Sequence, residues 1–417
     1  MQARWTYSRF LTAFAVLGVS VALAGCAPQE PAEAEASAAT GAAGAPIHDG
    51  QELWGHYQEP QPWPNGLPDN QGHSHAGWTW GSQGAVFAES PDRIWIAMRG
   101  ELPLPPDNDP WTPYALIEPS RGNAPPTDDT NGQRGYERRY VHTFFAVNSA
   151  GDVVAHYPQM DAFFDHRGGR GPHKVKIGPY DAEKHIWIVD DNLHQIHKFT
   201  YDGQHVLSHG VRSEPGRGPN NFNRPTDIAW LPDGTYFISD GYVGTRVAKY
   251  GPDDQFIMDW GREPADPDNP QPYEFDTVHA IAISSNRLLY VSDRAHARIQ
   301  VFDENGNFQF MFPTGPRGAS LPYAVEIMTE PSGEEFIWIA DGGTGRMTKY
   351  DMQGNFLYAW GLPGNAYGQF NGPHSLTTDQ NGNLYIAEVF AGRIQKFIPR
   401  PGADPAKLVG QQLRVAW

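Results

Sequence analysis

Three histidines recur at one fixed point of an internal repeat, in every second copy. They stand in GPHKVKI (His173), TVHAIAI (His279) and GPHSLTT (His374). The intervening copies, RPTDIAW and LPYAVEI, carry Thr226 and Tyr323 at that point. In a ring of six repeats, alternate copies lie about 120° apart, so three imidazoles at one level converge on the axis. Three neutral imidazoles with coordination positions left over suit Zn²⁺ or another divalent transition metal, and an open position is the mark of a catalytic rather than a structural site. One such histidine alone reads as a hydrogen-bonded channel residue; three in phase read as a metal site. His185, His194, His197 and His296 lack this phasing and read as blade-surface or turn residues.

Five copies of the pattern run from residue 171 onward at a spacing of roughly 45 to 53 residues, the length of a propeller blade. Each copy opens with an apolar alternation and a turn of Asp, Gly or Asn. A β-branched and aromatic run ending in an acid follows, as in HIWIVDD, TYFISDG, RLLYVSDR, FIWIADG and NLYIAEV. Two further short runs complete four strands with period-two patterning and hairpin turns. A sixth, degenerate copy begins at Gly81 to Phe87 and RIWIAMR, is interrupted from Leu102 to Glu137, and resumes with VHTFFAVNSAGDVVAHY. The expectation is an all-β, six-bladed β-propeller, which leaves no sheet edge exposed between blades. The tail KLVGQQLRVAW either adds a strand or pairs near Trp78 to Trp80.

Alignment places Gln83, His173, Thr226, His279, Tyr323 and His374 in one ring around the channel. Arg99, Asp191, Gly241, Arg294, Gly342 and Val389 form a second ring just after the second strands. Arg99 and Arg294 could clamp a carboxylate and offset developing negative charge. They could equally pair with the repeated acids, such as Asp293 or Asp240. Tyr242, in SDGYVGTR, follows the second ring; it is a packing aromatic or, beside a cation and a guanidinium, a phenol able to give up its proton.

The N-terminus is of a different kind. Arg4 and Arg9 precede an apolar run from Leu11 to Ala24, and Leu23-Ala24-Gly25-Cys26 resembles a bacterial lipobox. Residues 1–25 are expected to be a lipoprotein signal peptide, and residues 26–47 a lipidated Cys26 and flexible linker rich in Ala, Glu, Pro and Gly. Residues 48–417 form the propeller, with the insertion at about 102–137. The expected location is the bacterial envelope, held to a membrane through lipid on Cys26, and Ala27 points to the outer membrane. Cys26 is the sole cysteine, so the fold has neither a disulfide framework nor a cysteine metal site. A net charge of −17, from 31 basic and 48 acidic residues, argues against a nucleic-acid partner.

These residues together resemble the peptidyl-α-hydroxyglycine α-amidating lyase (peptidylamidoglycolate lyase) family, built on NHL-type repeats. The resemblance covers roughly residues 75 to 400. His173, His279 and His374 match its three histidine motifs, Tyr242 its SDGY motif, Arg294 its DR-x-x-x-R-I-Q motif and Arg99 its first-blade arginine before glycine. It implies a zinc-dependent carbon–nitrogen lyase on a six-bladed propeller. The implied reaction cleaves the N–Cα bond of a C-terminal α-hydroxyglycine, or of a related N-acyl carbinolamide, to an amide and glyoxylate. The substrate would be a peptide or small molecule with that terminal group. The metal ligands would be His173, His279 and His374, and the catalytic residues Tyr242, Arg99 and Arg294. Two departures stand out. Ser375 replaces the family's Asp, which helps hold a structural calcium, and Val243 replaces a cysteine beside the tyrosine. The rival readings are a non-catalytic NHL propeller binding peptide or glycan, and a calcium-dependent lactonase-like propeller, whose axis would need oxygen ligands.

Overall fold

Period-two patterning is realised strand by strand. In β6 (Ile186–Asp190), Ile186 and Ile188 pack toward one neighbouring blade, while Trp187 and Val189 pack toward the other. The computed structural model describes residues 53–61, 63–65, 83–100, 140–165 and 171–417. The signal segment, Cys26, Trp78 to Trp80 and the 102–137 insertion lie outside these residues.

Six antiparallel sheets make the blades. Blade one is β1 (Gln83–Ser90), β2 (Arg93–Met98), β3 (Phe144–Val147) and β4 (Val153–His156). Blade two runs from β5 (Pro172–Ile177) through β6 and β7 (Gln195–Phe199) to β8 (His205–His209). Blades three, four and five start with β9 (Pro225–Trp230), β13 (Val278–Ile283) and β17 (Pro322–Thr329). Blade six has three strands among the described residues, β21 (Pro373–Thr378), β22 (Leu384–Glu388) and β23 (Arg393–Phe397). The first strand of each blade touches the first strands of the blades beside it, and β21 returns to β1, closing the ring.

Six hydrophobic clusters occupy the seams, each fed by two adjacent blades. The seam between blades five and six, for example, buries Trp338, Met347 and Trp360 against Leu376, Leu384 and Ile386. Truncating one of these tryptophans to alanine would cost about 3–5 kcal/mol. The blade-six to blade-one seam is laced further. Trp63 packs 4.9 Å from Tyr385, and Lys396 Nζ donates to the Ser149 carbonyl at 2.6 Å.

The C-terminal tail resolves the open alternative for the described residues: it adds a strand. β24 (Gln411–Gln412) pairs with Thr329 and Met328 at the end of β17 remote from the histidines. Gln412 and Arg414 then donate to Ala88 of blade one, and Trp417 Nε1 to Gly178 of blade two at 3.1 Å. The tail thus straps one mouth of the channel.

Candidate metal centre

Each first strand carries a register shift near its start, just after a residue that is still paired: Gln83 in blade one, Val278 in blade four and a proline in the others. The unpaired residue is Gly84, His173, Thr226, Tyr323 or His374, and in blade four the irregular stretch holds His279. A bulge re-aims the side chain it contains, which is how strand residues here turn onto the axis. In blade one this places Gly84, not Gln83, in the histidine ring, because Gln83 pairs in register with Met98. Alignment could not see a bulge one residue away.

The three imidazoles form a near-equilateral cluster, with ring centroids 4.5 to 4.9 Å apart. One nitrogen of each lies within 4.8 Å of the others, and all three residues are buried. The other nitrogen faces the backbone of the next blade. His173 Nδ1 lies 2.7 Å from the Thr226 carbonyl, His279 Nδ1 2.6 Å from that of Tyr323, and His374 Nδ1 2.9 Å from that of Gly84. A carbonyl can only accept, so Nδ1 carries the proton and Nε2 presents a lone pair to the axis. Burial, then neighbouring positive charge from the other rings, Arg99, Arg294 and Lys174, holds all three well below the ordinary histidine range. They are neutral donors. His374 Nε2 is buried with no hydrogen-bond partner among the described residues. Three fixed, neutral nitrogens around one point, one of them orphaned, fit a divalent transition metal of about 2.0–2.1 Å bond length.

Tyr242 closes one side of this point. Its hydroxyl oxygen lies 3.1 Å from His173 Nε2 and 3.0 Å from His279 Nε2. Both lone pairs accept, so the phenol donates. Arg294 places its guanidinium 4.9 Å from the Tyr242 ring centre and 5.2 Å from that of Tyr323. Its Nε is buried without a hydrogen-bond partner among the described residues. Arg99 is buried; its Nε donates to the Pro172 carbonyl at 3.1 Å, and its guanidinium stands 3.8 Å from Asp191.

The repeated acids do not neutralise the two arginines in the way their positions suggest. Asp240, Asp293 and Glu388 each pair with an arginine on their own blade's third strand, Arg246, Arg298 and Arg393. Arg99 instead finds Asp191. Blade two has Gln195 where those arginines stand, and burial pushes the Asp190 carboxyl up to about 7. His296 and His197 prove buried, not superficial: His296 Nδ1 meets Asp293 at 2.8 Å and His197 Nδ1 meets Ser208 Oγ at 2.7 Å.

Farther along the channel a buried ionic chain appears that composition did not suggest. Lys174 and Lys176 approach Asp227 at 3.7 and 3.1 Å, and Lys176 also meets Glu326 at 3.2 Å. Ser375 directs its hydroxyl to the Val86 carbonyl at 3.3 Å. With serine for an acid, and two ammonium groups already countering Asp227 and Glu326, these residues do not fit the family's structural calcium.

The amino-acid sequence has relatives among known proteins. No protein-family model matches the chain. A Drosophila melanogaster protein named peptidyl-alpha-hydroxyglycine alpha-amidating lyase 1 is 30% identical over 262 residues, 57% of this chain and 46% of that one. Xenopus laevis peptidyl-glycine alpha-amidating monooxygenase A is 29% identical over 276 residues, 64% of this chain and 28% of that one. Mouse NHL repeat-containing protein 3 is 24% identical over 255 residues, 56% of this chain and 69% of that one. The chain spans less than half the length of the two amidating proteins.

Proposed function

Because the chain is a six-bladed propeller homologous to the peptidyl-α-hydroxyglycine α-amidating lyases, we propose that it cleaves the N–Cα bond of an N-acyl-α-hydroxyglycine, releasing an amide and glyoxylate. The observation that carries this reading is the convergence of three neutral histidine nitrogens with the Tyr242 phenol on one buried point. His173, His279 and His374 would hold a divalent cation there, zinc on this reading, which would supply Lewis acidity toward an oxygen ligand.

The chain's own residues supply the rest. Tyr242, as its phenolate, takes the proton of the substrate α-hydroxyl. The freed electron pair forms the carbonyl of glyoxylate, the Cα–N bond breaks, and its electron pair stays on nitrogen. The proton held by Tyr242 passes to that nitrogen, so the amide leaves neutral and the phenolate is restored. Arg294, with an unpartnered Nε beside Tyr242, receives the substrate carboxylate, and Arg99 supports it with positive charge near His173 and His374. Lipid on Cys26 would tether this activity in the bacterial envelope, as the lipobox-like sequence suggests.

The test is direct. The purified protein is assayed for bound metal and for glyoxylate release from an N-acyl-α-hydroxyglycine. One transition-metal ion per chain with metal-dependent glyoxylate release is expected. A protein that takes up no such ion, or takes it up and releases no glyoxylate, overturns the reading.

A further inference from the structure

Arg224 has no counterpart among the residues that the repeat pattern or the family motifs single out, yet its guanidinium stacks on Tyr242 and its carbonyl accepts from the Tyr242 N–H. It stands two residues before the ring position of blade three. In blades two and six that place is held by Gly171 and Gly372, with φ of 79° and 70°. Arg224 adopts φ 69° there, a left-handed conformation that disfavours any residue with a side chain. Thr277 of blade four is alike, at φ 69°. The backbone therefore gives no reason for arginine. What the side chain does supplies one, since strained residues persist where the surrounding structure over-determines them.

The guanidinium crosses from blade three to blade two and binds Asp191, a fully buried carboxylate, through Nε at 3.2 Å and through a second contact from its terminal nitrogen. So held, its central carbon sits 4.3 Å from the centre of the Tyr242 ring. The main chain adds to the grip. The Arg224 carbonyl accepts from the N–H of Gly241 and Tyr242 at 3.2 and 3.0 Å, and the Asn223 carbonyl from Val243 and Gly244 at 3.3 and 2.7 Å. The Arg224 N–H in turn donates to His194 Nδ1 at 3.0 Å. Tyr242 is only half-buried, and with Cys26 the sole cysteine no disulfide can fix its loop.

We propose that Arg224, anchored by Asp191, is the positioning residue that holds the Tyr242 phenol against the histidine cluster. It acts through Tyr242 and touches neither substrate nor metal. This rests on the amidating-lyase reading for its kinetic consequence but not for its structural one. The same carboxylate anchors Arg224 and faces Arg99, so Asp191 ties together the tyrosine and one arginine of the site.

Four proteins decide it: wild type, Arg224→Gly, Tyr242→Phe and the double variant, each loaded with Co²⁺ and compared by visible absorption and by glyoxylate release. Arg224→Gly is expected to lower kcat by about 10- to 100-fold, the scale of an ångström-sized misplacement, with KM within about twofold. Relief of the left-handed strain offsets part of the lost ion pair, so the melting temperature should stay within about 3 °C. In the Tyr242→Phe background the same change should remove no further rate. The Co²⁺ spectrum of Arg224→Gly should move toward that of Tyr242→Phe. A wild-type spectrum and kcat in Arg224→Gly, or an equal loss of rate with and without the phenol, overturns the proposal. Should Arg224→Gly not fold, Arg224→Lys keeps a cation for Asp191 while removing the planar stack. It should show a partial loss of rate and a partial spectral shift, and wild-type values in both overturn the proposal. If wild type releases no glyoxylate, the lyase reading fails, while the cobalt spectra still decide the positioning role.

Discussion

Replacing His279 by alanine isolates the metal site from the fold. His279 is fully buried and offers one of three axial nitrogens. A structural zinc site of four ligands binds with about 10–16 kcal/mol, or about 3–4 kcal/mol per ligand, so losing one ligand weakens affinity about 10²- to 10³-fold. At a free metal concentration a thousandfold above the wild-type Kd, binding adds about 4.1 kcal/mol to stability. Spread over an unfolding entropy of about 2.1 cal/mol/K per residue and ~370 residues, that raises the melting temperature by about 5 °C. At the same metal concentration, now only about 1–10 times its own Kd, His279→Ala would gain only about 0.5–2 °C. Its metal-free protein also loses the hydrogen bond to the Tyr323 carbonyl, worth about 1 kcal/mol, and leaves a small cavity. The diagnostic quantity is therefore the increment on adding metal, not the absolute melting temperature. Thermal unfolding with and without excess Zn²⁺, alongside metal content and glyoxylate release, measures it. Tyr242→Phe serves as the control: it should keep the full increment and lose about 10²- to 10⁴-fold in kcat. An undiminished increment in His279→Ala would refute three-histidine coordination.

Three further outcomes follow from the geometry. Arg294→Met should raise KM for an α-hydroxyglycine substrate at near-normal stability, because Arg294 Nε has no hydrogen-bond partner among the described residues and methionine still packs on the Tyr242 and Tyr323 rings; a carbinolamide lacking the carboxylate should be turned over alike by both proteins, and a KM unchanged for the acid would count against the clamp. Adding Ca²⁺ to calcium-free, zinc-loaded protein should leave its melting temperature within about 1 °C, since lysine ammonium groups counter the channel carboxylates; a rise of several degrees would contradict that. His197 is buried neutral and its folded-state value is pushed down to about 3, mainly by burial. Its contribution to stability is whole above pH 6.5 and is lost as pH falls toward about 3. His197→Phe, with Phe163 and Phe164 as edge-on neighbours, should flatten the fall in urea-unfolding free energy between pH 7 and 4.5, and parallel curves for the two proteins would exclude this.

The histidine centre was legible because symmetry does the work of proximity. A residue at one repeat position in alternate blades must meet its copies on the axis, whatever the side chains between them, and His173, His279 and His374 do. The same logic failed by one residue in blade one, where only the hydrogen bond from His374 to the Gly84 carbonyl reveals the bulge. Periodicity also mistook the partners of the arginines. It sees that acids follow every second strand, but not that Arg246, Arg298 and Arg393 already claim three of them, leaving Arg99 to Asp191. Arg224 was out of reach for a further reason. Its effect depends on a side chain spanning two blades, on a carboxylate one residue beyond the repeated acid, and on a backbone angle that sequence does not state. The one available signal was an arginine where two sister copies have glycine before Pro-His. Repeats make such a departure visible: where two copies hold glycine in a left-handed conformation, a long charged residue in a third directs attention to what its side chain reaches.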